Sequence, residues 1–212
     1  MNRPPLRFAL VALALAGLPA PGARALPLLS EVLYDAVGTD DGALFVELYG
    51  TPGTSLDGWS IEGVNGADGE VTLTVSLSGT IPGDGIFVVA DGGASGPTAV
   101  AGADLVANFD FQNGPDSVVL RDALGTVVDA LGYGTFEAGT FFAGEGTAAP
   151  DGAAGESLAR VFANIDTGDN AADFALLEAP TPGQAPVSPV PEPGGAVLVA
   201  TGLAGLALRR RR

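Results

Sequence analysis

Val71-Thr72-Leu73-Thr74-Val75-Ser76-Leu77 alternates aliphatic and hydroxyl side chains without a break. Successive side chains of an extended chain point to opposite faces, so the four aliphatics share one face and the three hydroxyls the other. That is the pattern of a half-buried antiparallel strand, apolar toward a core and polar toward water. Outward from it, six more short stretches read as strands: 29–34, 44–49, 59–64, 86–90, 117–121 and 127–133. Asn65-Gly66, Asp68-Gly69, Pro82-Gly83, Asp91-Gly92 and Asn113-Gly114 separate them, pairs that accept the backbone angles of tight turns. About seven short strands punctuated in this way predict an all-β domain folded as a β-sandwich. Trp59, the one tryptophan, is expected to fill its core.

Composition narrows the chemistry. The 212 residues contain no histidine, cysteine or lysine. Disulfides, Ser-His-Asp and Cys-His catalysis, lysine Schiff bases and a P-loop are therefore unavailable to this chain. Of nine arginines, three (Arg3, Arg7, Arg24) stand near the start and four (Arg209 to Arg212) at the end. Residues 26–193 keep only Arg121 and Arg160 against all twenty-five carboxylates, a net charge of −23. Such a surface repels nucleic acid and anionic membranes, so no nucleic-acid partner is expected. Glycine- and alanine-rich stretches, 92–103 and 136–154, read as loops.

Both ends read as sorting signals. Arg3 and Arg7 precede the apolar run Phe8 to Leu18, followed by Pro19, Pro21, Gly22 and the small-residue pattern Ala23-Arg24-Ala25. This is a secretory signal peptide over residues 1–25, with cleavage expected after Ala25. At the other end Val190-Pro191-Glu192-Pro193 precedes fifteen uncharged residues, 194–208, and then Arg209, Arg210, Arg211 and Arg212. Fifteen residues are short for a bilayer that takes about 20, a gap that snorkelling arginines and local thinning close for a transient transmembrane anchor. The arginines are expected to stay on the cytoplasmic side. This order resembles the PEP-CTERM tail of Gram-negative surface proteins. The resemblance implies an exosortase-like membrane protease as partner and a host that makes exopolysaccharide. Residues 186–212, with Pro186 and Pro189, form a proline-bearing stalk and that tail; residues 26–185 form the domain.

A second resemblance covers 29–185. Glu31-Val32, Phe45-Val46-Glu47-Leu48-Tyr49 and Ser55-Leu56-Asp57-Gly58-Trp59-Ser60-Ile61 resemble the first half of a lamin tail domain. Ser117 to Asp122, Gly125 to Asp129 and Tyr133-Gly134 are similar to its central hairpin. Gly155-Glu156-Ser157-Leu158-Ala159-Arg160, Asp166 to Asp173-Phe174 and Thr181-Pro182-Gly183 are similar to its C-terminal signature. The resemblance implies an immunoglobulin-like β-sandwich. Nuclease or other hydrolase domains, which accompany many bacterial members, are not found here.

Three constellations bear on chemistry. Asp166, Asp169, Asn170 and Asp173 concentrate oxygen ligands around Gly168, which reads either as a weak calcium site or as turn capping. Asp40-Asp41 and Asp68 with Glu70 read as solvated turns. A carboxylate pair for glycoside hydrolysis is the enzyme reading; one tryptophan and three tyrosines supply little for sugar stacking. The functional expectation is a secreted, surface-sorted, non-catalytic binding or structural module, with no cofactor beyond weak calcium. Envelope proteins or extracellular polysaccharide are its expected partners. The alternative is an accessory targeting domain for a separate secreted hydrolase.

Overall fold

A computed structural model describes residues 26–94 and 96–188. Ala23 and Ala25, expected at signal cleavage, and Val190, Pro191, Glu192, Pro193 and Arg209 to Arg212, expected to form the sorting tail, lie outside the described residues. Within them ten strands follow in order: β1 (Leu28–Leu33), β2 (Phe45–Tyr49), β3 (Ser60–Asn65), β4 (Val71–Ser76), β5 (Ile86–Asp91), β6 (Leu105–Ala107), β7 (Asp116–Arg121), β8 (Val127–Tyr133), β9 (Ser157–Arg160) and β10 (Phe174–Leu177). One helical turn, α1 (Asn170–Asp173), stands before β10. The strands form a six-stranded sheet in the order β10-β9-β1-β2-β5-β6 and a four-stranded sheet in the order β4-β3-β7-β8. Every neighbouring pair is antiparallel except β5 and β6. The domain is an all-β, two-sheet sandwich. No helix among the described residues is long and apolar enough to cross a membrane.

All seven expected strands are present to within one residue at each end. On β4 and just beyond it, Val75 and Leu77 are buried, Leu73 is half-buried and Val71 is exposed, while Thr72, Thr74 and Ser76 face water. The alternation is correct, and its burial fades toward Val71 because β4 is an edge strand. Strands β6, β9 and β10 are not legible as strands: they are three or four residues long, and Phe174-Ala175-Leu176-Leu177 is made partly of good helix formers. Pairing with β5, with β1 and with β9 makes them strands.

One apolar cluster joins the sheets, with Leu29, Val32 and Leu48 from one and Ile61, Leu120 and Leu131 from the other. Tyr34 and Tyr133 stack within it at 4.1 Å between ring centroids. Their hydroxyls escape burial without a partner: Tyr133 donates to the Gln112 carbonyl at 2.7 Å, and Tyr34 donates to Asp151 and accepts from the Gly152 amide. Trp59 is only partly buried and packs against the margin of the cluster, short of the core position expected for it.

Strand direction gives the sandwich two ends. Leu28 of β1 pairs with Tyr49, and β9 runs antiparallel to β1 toward Arg160. The Leu29 amide meets Asp129 near the start of β8, whereas Tyr34 stacks on Tyr133 at its close. Leu28, Tyr49, Val127, Arg160 and the 161–173 loop therefore mark one end. Leu33, Phe45, Asp91 and Tyr133 mark the other.

Candidate functional site

Arg160 is the organising residue. It is one of two cations on the domain, and its side chain is wholly shielded from solvent. From β9 its Nη2 reaches across to both oxygens of Asp129 on β8 in the opposite sheet, at 2.9 and 2.7 Å. Nη1 donates to Asp173 of α1 at 2.9 Å and to the Ile165 carbonyl at 3.2 Å. Nε donates to the Leu29 carbonyl of β1 at 2.9 Å. The guanidinium also lies 4.5 Å from the centroid of the Phe174 ring. One planar fork thus ties both sheets and the helical turn together, a geometry that arginine has and lysine lacks. Asp129 is itself fully buried and accepts the Leu29 amide at 2.7 Å.

Beside this pair stand Asp166 and Glu145. Ligand oxygens of Asp129, Glu145 and Asp166 all lie within 4.8 Å of one another. Asp166 comes within 3.7 Å of Arg160. Glu145 Oε2 is buried without a hydrogen-bond partner. Burial pushes the Glu145 carboxyl up from 4.5 to about 7; the charges of Asp129 and Asp166 add to the rise, and Arg160 offsets part of it. An acid whose folded pKa is raised holds its proton longer when folded, so its contribution to stability is lost as pH climbs from about 4.5 to about 7. Burial raises Asp35, Glu47 and Asp110 as well, with the same sign. Thermal melts at constant ionic strength are therefore expected to fall steadily from pH 5 to pH 8. Glu145→Gln is expected to flatten the slope near pH 7; an unchanged slope would remove Glu145 from this role.

The four residues singled out for calcium are separated by their bonding. Asp169 caps α1, accepting the Ala171 amide at 3.2 Å and the Thr147 amide at 3.1 Å. The Asn170 amide is buried and turned to β8: it donates to Ala130 and accepts from Gly132 and Glu145. Asp173 accepts from Arg160, the Thr167 amide and the Thr167 hydroxyl. Asp166 accepts the Gly168 amide and is the member that also joins Asp129 and Glu145. An ion here must share Asp166 with Arg160. A melting temperature that rises in millimolar calcium, and ceases to rise in Asp166→Asn, is the result such an ion requires. The close approach of the 143–149 segment to β8 needs glycine at 144, because a Cβ there would stand 2.5 Å from the Gly132 amide nitrogen.

A second arrangement lies on the six-stranded sheet. Glu31 and Glu47 sit side by side on β1 and β2, both buried, opposite in direction to their neighbours Val32 and Val46. The chain after β10 returns across them as a strap. Thr181 donates its amide and hydroxyl to Glu31 at 2.8 Å each, and Gly183 donates to Glu47 at 2.7 Å. Ser157 and Ser30 supply further hydroxyls to the two carboxylates. Burial pushes the Glu47 carboxyl above its ordinary range, and the Ser30 and Gly183 bonds pull part of it back. The contact continues to the first loop end: the Ala163 amide donates to the Pro186 carbonyl at 2.7 Å, and Asn164 and Ser188 exchange two bonds at 3.0 and 2.7 Å. Between strap and sheet runs a cleft of about 560 Å³ whose apolar lining includes Val161, Ala175, Leu177, Ala185 and Pro186.

At the opposite end Asp40, Asp41, Asp91 and Asp110 line a cleft of about 430 Å³. Three of these carboxylates tie loops: Asp91 accepts from Gly42 and Phe109, Asp40 from Ala36, and Asp41 from Ala94. Asp40 and Asp41, expected at a solvated turn, thus hold backbone amides at its margin.

No protein-family model matches the chain, and no curated protein matches it. Fold and site together define a two-sheet β-sandwich, stapled internally by one arginine and closed externally by a C-terminal strap.

Proposed function

We propose that this is a secreted, surface-sorted protein of a Gram-negative bacterium whose one sandwich is lamin-tail-like, an immunoglobulin-like domain without catalytic activity. It serves as a binding or structural module associated with the envelope or exopolysaccharide matrix. The signal peptide 1–25 carries the chain across the inner membrane. The 194–208 segment then holds it there as a transmembrane helix until an exosortase-like protease acts at Val190 to Pro193.

The observation that carries this reading is the strap. Its bonds hold the backbone first to the sheet and then to the 162–165 turn as far as Ser188, two residues before the Val190-Pro191-Glu192-Pro193 motif. Cleavage at the motif therefore leaves the described strands and strap bonds with the released domain. The main ionic groups found inside the domain, Arg160 with Asp129 and Asp173, Glu31 and Glu47, are engaged in holding strands and strap together. Such a sandwich offers its loops and edge strands to partners.

The test is the intact mass of the native protein in membrane, surface-matrix and culture fractions. The expected species lies outside the membrane and lacks both residues 1–25 and the arginine-ended tail. A membrane species retaining Arg212 as the sole product would overturn processing and make the protein a tethered domain.

A further inference from the structure

We infer that the end of the sandwich from which the tail departs is a membrane-resting face, with Val161 and Phe162 seated in the interface of a zwitterionic lipid bilayer. The inference rests on the reading of 194–208 as a membrane segment and adds where the folded domain lies against that membrane.

Three observations meet at this end. First, the 162–165 turn, closed by the Ile165 amide donating to the Phe162 carbonyl at 2.9 Å, carries Asn164, which grips Ser188 with two hydrogen bonds. Phe162 is thus fixed beside the point where the described chain ends. Second, only 189–193 separate Ser188 from the apolar run that begins at Gly194. Six Cα steps reach at most about 20 Å even when fully extended, so a tail in the bilayer holds this face within that distance of the lipid. Third, the face is apolar where it protrudes. Val161 is 47 % exposed and Phe162 44 %, and Leu26, Leu124 and Val187 are exposed at the same end. Aromatic and aliphatic tips are the groups that enter the interface of a bilayer.

Charge selects the lipid. The four-aspartate cleft of Asp40, Asp41, Asp91 and Asp110 lies at the opposite end, away from the tail. Residues 26–193 nevertheless carry a net charge of −23, which opposes approach to anionic headgroups. A zwitterionic surface admits the apolar tips without that repulsion.

The chain has no cysteine, so a single introduced one labels one place. Full-length Phe162→Cys, Leu124→Cys and Val37→Cys are each labelled with an environment-sensitive fluorophore and reconstituted in phosphatidylcholine vesicles containing spin-labelled lipid. Val37, 80 % exposed beyond the close of β1, reports the opposite end. The expected result is that the vesicles carry all three variants on flotation, with quenching at 162 at least threefold stronger than at 37, and 124 on the side of 162. Flotation with equal quenching at 162 and 37 overturns the resting face while leaving the membrane tail standing. Failure to float overturns both. If the label at 162 alters the melting temperature, position 124 against 37 decides in the same way.

Discussion

Arg160→Ala is expected to destabilise the sandwich by about 3–5 kcal/mol, because it strands buried carboxylates rather than merely deleting a contact. Asp129 and Asp173 lie almost wholly out of water, and Arg160 is the cation bonded to both. Without it they must stay charged in a poor dielectric, take up protons or admit water by loosening the sheets. The Leu29 and Ile165 carbonyls lose their donor in the same step. Urea unfolding at pH 7 measures the loss through the midpoint shift at constant slope. Arg160→Lys should recover only part of it, since an ammonium cannot serve Asp129, Asp173 and Leu29 at once. Replacing Arg160, Asp129 and Asp173 together with apolar residues of similar volume is expected to be less damaging than Arg160→Ala, as no charge is then left unpaired. A cost below about 1 kcal/mol for Arg160→Ala would mean that the network is energetically idle, at the level of an exposed ion pair.

Pro191→Ala with Glu192→Ala is expected to stop tail removal entirely. The motif stands between a domain bonded down to Ser188 and an apolar segment ending in four arginines, so nothing else in the described contacts of the strap depends on these two side chains. Folding should therefore be unchanged, and the melting temperature of the purified domain should match the parent. Precursor should accumulate in the membrane with Arg212 present in its mass. Release of the doubly substituted protein at the normal rate would take the recognition role away from Pro191 and Glu192.

The sandwich was legible because strands with one face in a core carry a period of two. Val71 to Leu77 shows it openly, and the glycine-bearing turns mark where each strand stops, as at Gly69 with its φ of 82° in the β3–β4 connection. Strands β6, β9 and β10 were illegible for the complementary reason. Three or four residues hold no period, and Phe174 to Leu177 becomes a strand only by lying against β9. The candidate site was less visible still. Arg160 did carry a signal: a lone cation after Ser157-Leu158-Ala159, in a domain with one other arginine, has a surplus of carboxylates to meet. The sequence does not say which carboxylates. Asp129 and Asp173 lie 31 and 13 residues away, and Asp166, which is nearer in sequence, stands farther from the guanidinium than either.

By itself the sequence determined the class of fold, the positions of seven strands and the signed charge of the domain, since these follow from local alternation, turn chemistry and composition. It also carries whatever sorting information its two ends hold, as linear motifs read by other proteins. Tertiary structure alone decided which charges are buried and which late segment folds over them. Glu31 and Glu47 look like ordinary surface carboxylates on two strands until Thr181 and Gly183, some 136 to 150 residues later, fold over them. Burial and pairing of this kind are properties of distance in space, and a chain whose contacts are mostly long-range does not write them into any local stretch.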